Sequence, residues 1–226
     1  MTDDYYTSKL SSNRLKLCYD VAPPRVIEYL EAEIEHVLAL IEPTDDALEL
    51  GCGYGRFMNR LLQSAHRNVG IDTAKDSLEL AKTSLGTKSM FYLSQMDAQT
   101  LGFRDSVFDK TICIQNGISA FKIAPRDLVI ESIRVTKNRG MCIFSSYSDL
   151  FWEHRLEWFK IQSEKGLLGE IDWEQTGDGV IVCKDGFRAT TFREDDFQTL
   201  TSKLGLKAEI VEVNDSSVFC EIEVEK

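Results

Sequence analysis

The sequence predicts an α/β fold: a mostly parallel sheet with helices on both faces. Three observations carry that prediction. Short apolar, β-branched stretches alternate with longer stretches of helical periodicity, which is the rhythm of βαβ units. A glycine-rich turn, Gly51-Cys52-Gly53-Tyr54-Gly55, stands between a strand and a helix. The second strand ends in an acid, Asp72.

Taken in order, residues 23–41 form a helix, because Val26, Ile27, Leu30, Ile34, Val37, Leu38 and Ile41 recur at helical spacing. Glu28, Glu31, Glu33 and Glu35 fill its other positions, and Pro24 near the start costs little there. Residues 47–50 are a short apolar strand. After the glycines, Phe57, Met58, Leu61 and Leu62 mark a helix. Residues 68–72 make the second strand; Leu78, Leu80, Ala81 and Leu85 mark the next helix, closed by Gly86. Residues 90–93 and 107–114 are strands three and four, residues 128–135 a crossover helix, and residues 140–144 strand five.

Beyond Tyr147 the texture changes. Residues 150–161 are an aromatic-rich helix, and residues 180–183 and 187–192 form a hairpin around Asp185-Gly186. Residues 195–204 are a helix ended by Gly205, and residues 207–213 and 218–224 a closing antiparallel pair. Length over ~150 residues per domain gives about one and a half. We therefore expect one domain over residues 1–226: an N-terminal lid and helix (1–41), a core (42–147), a capping insertion (148–192), and a C-terminal helix and hairpin (193–226).

Composition narrows function. Asp+Glu number 37 against 26 Lys+Arg, a net charge of −11, which disfavours nucleic acid as a partner because phosphate binding needs a basic surface. The six cysteines (18, 52, 113, 142, 183, 220) are scattered without a C-x-x-C pair, and His36, His66 and His154 lack paired spacing, so no metal site is expected. The N-terminus lacks an apolar leader and no 18-residue apolar run occurs, so the expected location is cytoplasmic, with no membrane partner. Oligomeric state is not legible.

The glycine-rich turn carries the chemistry. It allows close approach of a ligand to the backbone and aims helix N–H groups at it. The spacing is G-x-G-x-G, with Arg56 where a dinucleotide fingerprint would continue, so a nicotinamide site is disfavoured. Asp72 lies 21 residues after Gly51, where an acid accepts from ribose hydroxyls.

Glu49 to Gly55, Gly70-Ile71-Asp72, Met96-Asp97-Ala98 and Phe108-Asp109, in this order and spacing, together resemble the class I S-adenosylmethionine-dependent methyltransferases. The resemblance spans roughly residues 47–146. It implies a Rossmann-like, seven-stranded, mostly parallel sheet with an antiparallel C-terminal strand. It implies S-adenosylmethionine as cofactor and S-adenosylhomocysteine as product. Glu49, Gly51 and Gly53 would line the methionine part, with Gly55 permitting the turn and Cys52 also among the cofactor-binding residues. Asp72 would hold the ribose, Ile71 and Thr73 would flank the adenosine, and Asp97 and Ala98 would meet the adenine. Gln115, Asn116 and Gly117, after the fourth strand, would lie beside the reactive methyl.

A sulfonium leaving group needs no proton, so the expected work is positioning and desolvation. A catalytic group is therefore not fixed; the candidates are Tyr6, Asn116 and His154. The expected reaction is methyl transfer to a small-molecule acceptor. A protein acceptor and a non-catalytic cofactor-binding protein are the alternatives. The loop 115–121, residues 145–147 and the insertion with Phe151, Trp152, Trp158 and Phe159 converge on the expected mouth, with Tyr5-Tyr6 as a lid over it; most of the insertion aromatics are expected to pack as core between the insertion and the sheet.

Overall fold

The computed structural model describes residues 5–86 and 91–226. Three helices, α1 (Tyr5–Ser8), α2 (Ser12–Asp20) and α3 (Pro24–Ala39), precede strand β1 (Asp46–Leu50). There follow α4 (Met58–Leu61), β2 (Arg67–Asp72), α5 (Lys75–Leu85), β3 (Phe91–Gln95), β4 (Phe108–Cys113), α6 (Gly117–Ala120), α7 (Pro125–Val135) and β5 (Thr136–Tyr147). A 3₁₀ turn (Asp149–Phe151) leads into α8 (Trp152–Glu164). Hairpin strands β6 (Val180–Val182) and β7 (Arg188–Thr190), helix α9 (Glu194–Leu204), β8 (Ala208–Val213) and β9 (Ser217–Glu223) complete the chain.

The seven-stranded sheet runs β3-β2-β1-β4-β5-β9-β8. β1 to β5 pair in parallel; β9 is antiparallel to both β5 and β8. Strand order reverses between β1 and β4, which opens a crevice beyond their carboxyl ends, where open α/β sheets take their ligands. Leu50 pairs with Ile71 and Glu49 with Ile112, so the ends of β1, β2 and β4 are nearly level there.

Alternation along the strands builds two cores. Leu48, Leu50, Cys113, Cys142, Phe144, Val218 and Cys220 face one side, packed with Leu128, Val129 and Phe197 of α7 and α9. Ala47, Ile112, Ile114, Ile143 and Phe219 face the other, against Ile34 and Val37 of α3 and Phe57, Met58 and Leu61. A third core joins the N-terminal helices to the insertion: Tyr5, Leu10, Cys18, Tyr29, Tyr147, Phe151, Trp158, Phe159, Ile181 and Phe187.

Several expectations need correction. The helix expected after the glycines is one short turn, α4, because Gly55 to Phe57 are taken up by the loop. Strand five is far longer than residues 140–144; its polar start hides the period, and its end is held by β9 through Tyr147–Ser217. Helices α1 and α2 carry no strong apolar period and were not expected. Met90, the expected start of strand three, lies outside the described residues; the strand begins at Phe91.

Candidate cofactor and acceptor site

The end of β1 turns through Gly51, whose φ of +72° suits glycine; a Cβ there would also stand 2.5 Å from Cζ of Phe121. Cys52 N donates to Ile71 O at 2.9 Å, so the loop continues the β1–β2 ladder by one bond. The Cys52 side chain lies over Gly70 of β2, where a Cβ would meet its Sγ at 2.9 Å. Asp72 fixes the loop from the other side: Oδ2 accepts from Gly53 N at 2.9 Å and Oδ1 from Ala74 N at 2.8 Å. Asp72 also borders the cavity, where ribose hydroxyls would meet it. Asp97 takes a turn-capping bond from Gln99 N at 2.8 Å and also borders the cavity.

One cavity of about 700 Å³ occupies the crevice, within the ~300–1,000 Å³ usual for small-molecule sites. Glu49, Gly51, Cys52, Gly53, Ile71, Asp72, Thr73, Asp97, Ala98 and Gln115 line it, as does Tyr6. Gly55, Asn116 and His154 do not line it. Gly55, at φ +85°, packs under the loop against Ala81. Asn116 is buried with both ends of its amide engaged: Nδ2 donates to Thr190 O at 3.0 Å, and Oδ1 accepts from Ser146 Oγ at 2.8 Å. It therefore ties β4 to β5 and β7 instead of facing the methyl group. His154 is exposed on α8, beside Phe151, and is withdrawn as a catalytic candidate. Tyr5 and Tyr6 both meet the ring of Phe187, and Tyr5 OH donates to Asp185 Oδ2 at 2.6 Å.

The cavity also contains groups the sequence reading passed over. Arg56 lines it with Nε and Nη2 unpartnered, its guanidinium over the Tyr19 ring. Glu49 lines it too, 5 % exposed, with Oε2 unpartnered. Burial pushes the Glu49 carboxyl up to about 8; Arg56 pulls it down and Asp72 adds to the rise. An unpaired acceptor and an unpaired cation at one end of a cavity match the ammonium and carboxylate of a zwitterion. This is the fit expected of the methionine end of S-adenosylmethionine.

Behind the loop, Gln115 and Asn116 hold left-handed backbone, at φ +55° and +63°. Both are non-glycine residues, and such strain persists only where surroundings enforce it. Here Gln115 N donates to Ser145 Oγ (2.9 Å), and Tyr19 OH donates to Gln115 Oε1 (2.6 Å). Ser145 Oγ in turn donates to Glu33 Oε1 at 2.5 Å. Glu33 is fully buried, and burial lifts its carboxyl from 4.5 to about 7, with Ser145 and Arg56 pulling it back. The signal for Glu33 was present in the sequence: it stands three residues after Leu30 and seven after Val26, on the buried stripe of α3.

A raised carboxyl sets a pH dependence. Between pH 4.5 and about 7 the folded chain keeps a proton that the unfolded chain has released. The contribution of Glu33 to stability is therefore greatest below that window and falls as pH rises through it, by up to ~1.4 kcal/mol per unit. Glu49 contributes in the same direction. Glu33→Gln keeps an acceptor for Ser145 and removes the titration. Its Tm is expected to fall less than that of the wild type between pH 5 and 8. Parallel Tm–pH curves for the two proteins would contradict the assignment.

Residues 48–144 match the family described as a methyltransferase domain. No curated protein matches the sequence. Solved structures match well: a protein of Pyrococcus horikoshii is 19% identical, with 100% of each chain covered and a TM-score of 0.68. A SAM-dependent methyltransferase of Methanosarcina mazei is 18% identical over 84% of this chain and 97% of its own, at TM-score 0.60. N-methyltransferase NodS of Bradyrhizobium japonicum, in complex with S-adenosyl-L-homocysteine, is 15% identical over 92% of this chain and 90% of its own, at 0.56. At such identities the structures speak to fold alone, and the fold agrees with the family match: residues 48–144 form a methyltransferase domain, set in a chain whose fold is similar to that of these methyltransferases.

Proposed function

We propose that the chain methylates a small molecule inside this cavity. One observation carries the reading: the residues expected to hold the cofactor share a single cavity with aromatic side chains from α1, α2, α8 and the β6–β7 hairpin. A methyl acceptor then lies under a roof of protein, which suits a small molecule better than a protein surface. S-adenosylmethionine, when bound, supplies a methyl group on a sulfonium, and its departure by in-line displacement calls for no acid.

The chain's own contribution is placement and dryness. Glu49 and Arg56 hold the zwitterionic end, Asp72 the ribose, and Asp97 with Ala98 the adenine. Gln115, fixed by Ser145 and Tyr19, shapes the wall beside the reacting centre. Tyr6 closes the far side. Residues 1–41 act as a lid with its helix, residues 148–192 as a cap, and residues 42–147 and 193–226 as the sheet on which both rest, within one domain. Arg14 supports the lid by donating to Leu167 O (2.9 Å) and Gly166 O (2.7 Å), and Lys9 by donating to Asp185 O (2.9 Å). A cytoplasmic location fits the six free, buried cysteines and the acidic composition. No helix among the described residues is long and apolar enough to cross a membrane.

Untargeted mass spectrometry of a metabolite extract tests the reading. A species heavier by one CH₂ is expected, appearing only with both protein and S-adenosylmethionine present. With methyl-labelled cofactor and a whole-cell extract, the label is expected in the small-molecule fraction. Label confined to proteins would overturn the small-molecule reading.

A further inference from the structure

Resting on that reading, we propose that the acceptor end of the cavity takes a planar aromatic molecule carrying an anionic oxygen of the carboxylate class. The walls there are rings: Tyr6, Tyr147, Trp158, Phe159 and Phe187 all border the cavity. They brace one another, with Phe159 and Phe187 centroids 5.6 Å apart and Trp158 and Phe159 5.7 Å apart. Such walls suit a flat apolar body.

The polar groups among them are mostly engaged. Trp158 Nε1 donates to Cys18 O at 2.8 Å, and Tyr19 OH to Gln115. Gln162 differs. It lines the cavity, is 2 % exposed, and its Nε2 has no partner. A buried amide donor without an acceptor is costly, so a bound molecule that presents an oxygen there relieves a standing penalty.

Arg155 sets the sign of the charge. It lies about two turns before Gln162 on the buried stripe of α8, together with Trp158 and Phe159. It is 1 % exposed, and its guanidinium sits 4.1 Å from the ring centre of Tyr147 and 5.7 Å from that of Phe159. Its hydrogen bonds go to neutral oxygens, Gly179 O at 3.0 Å and Thr191 Oγ1 at 2.7 Å. Nε and Nη2 have no partner, and among the described residues no carboxylate lies within 4.0 Å to pair with it. Arg155 does not itself line the cavity, but Tyr147 and Phe159, which it touches, do, and the field of a buried cation without a counter-ion reaches past them in a low-dielectric interior. The cavity's acids, Glu49, Asp72 and Asp97, belong to the cofactor end. The acceptor end therefore favours an anion. Ring walls alone would equally suit an ammonium ion through cation–π contact, and Arg155 opposes that.

The test is a titration of the protein saturated with S-adenosylhomocysteine, using benzoate, benzamide and benzylamine as probes. Benzoate is expected to bind at least about tenfold more tightly than either neutral amide or amine, the scale of one hydrogen bond to a charged group. Gln162→Leu is expected to lose most of that preference while its affinity for S-adenosylhomocysteine stays unchanged. Arg155→Met is expected to lose it as well; if that variant fails to fold, Arg155→Lys, which keeps the charge, is expected to retain the preference. Equal binding of the three probes, tighter binding of benzylamine, or a preference undiminished in Gln162→Leu would overturn the proposal alone. Failure to bind S-adenosylhomocysteine at all would overturn both this proposal and the cofactor assignment beneath it.

Discussion

Asp72→Ala is expected to weaken binding of S-adenosylhomocysteine by on the order of 100-fold, the largest effect of any single substitution in the site. Two losses combine. Hydrogen bonds from ribose hydroxyls to a carboxylate are worth ~1.5–3 kcal/mol. The same side chain also holds the glycine loop, because its two oxygens accept from Gly53 N and Ala74 N. Without it, the loop must be ordered at the moment of binding. Together these reach about 3 kcal/mol, roughly two decades in affinity. Asp72→Asn separates the contributions, since one amide oxygen remains to accept from the loop; an intermediate loss is expected. A titration of the three proteins checks the order, and equal affinities for wild type and Asp72→Ala would refute the ribose assignment.

The second large effect belongs to Glu49. Its carboxyl is held up to about 8, first by burial, so near pH 7 the free protein keeps it mostly protonated. An ammonium group placed beside it favours the charged form. Binding is therefore expected to release close to one proton at pH 7. Affinity should then rise with pH between about 6 and 8. Titrations in buffers of different ionisation enthalpy count the proton directly. Glu49→Gln should bind at least ~10-fold more weakly, the scale of one charge-assisted hydrogen bond, and should release none. A wild-type protein whose affinity is flat over this range would contradict the pairing of Glu49 with the ammonium group. The sign is opposite to that of folding: proton loss from Glu49 destabilises the empty protein and strengthens the complex.

Much of this architecture was legible because it is local. The sheet followed from strands whose alternate residues, such as Leu48 and Leu50 against Ala47, must face different helix layers. The glycine loop and Asp72 were legible because φ values such as the +72° of Gly51 restrict the residue type. What escaped depends on contacts distant in sequence. Asn116 follows the fourth strand, where the resemblance places a neighbour of the methyl group. Its orientation is decided by Thr190 and Ser146, 74 and 30 residues away. His154 and Arg155 are adjacent in the sequence, yet the helix turns the first to solvent and the second inward. Nothing in an aromatic-rich stretch with weak amphipathicity decides which face is buried. Helices α1 and α2 were missed for a related reason: their order comes from Phe187, Asp185 and Ser77, and not from their own period.

The most direct test of the cofactor assignment is calorimetric titration of the intact chain with S-adenosylhomocysteine. Saturable binding of one ligand per chain is expected, with a proton released at pH 7. Absence of saturable binding up to millimolar ligand would contradict the assignment of Glu49, Arg56 and Asp72 to this cofactor.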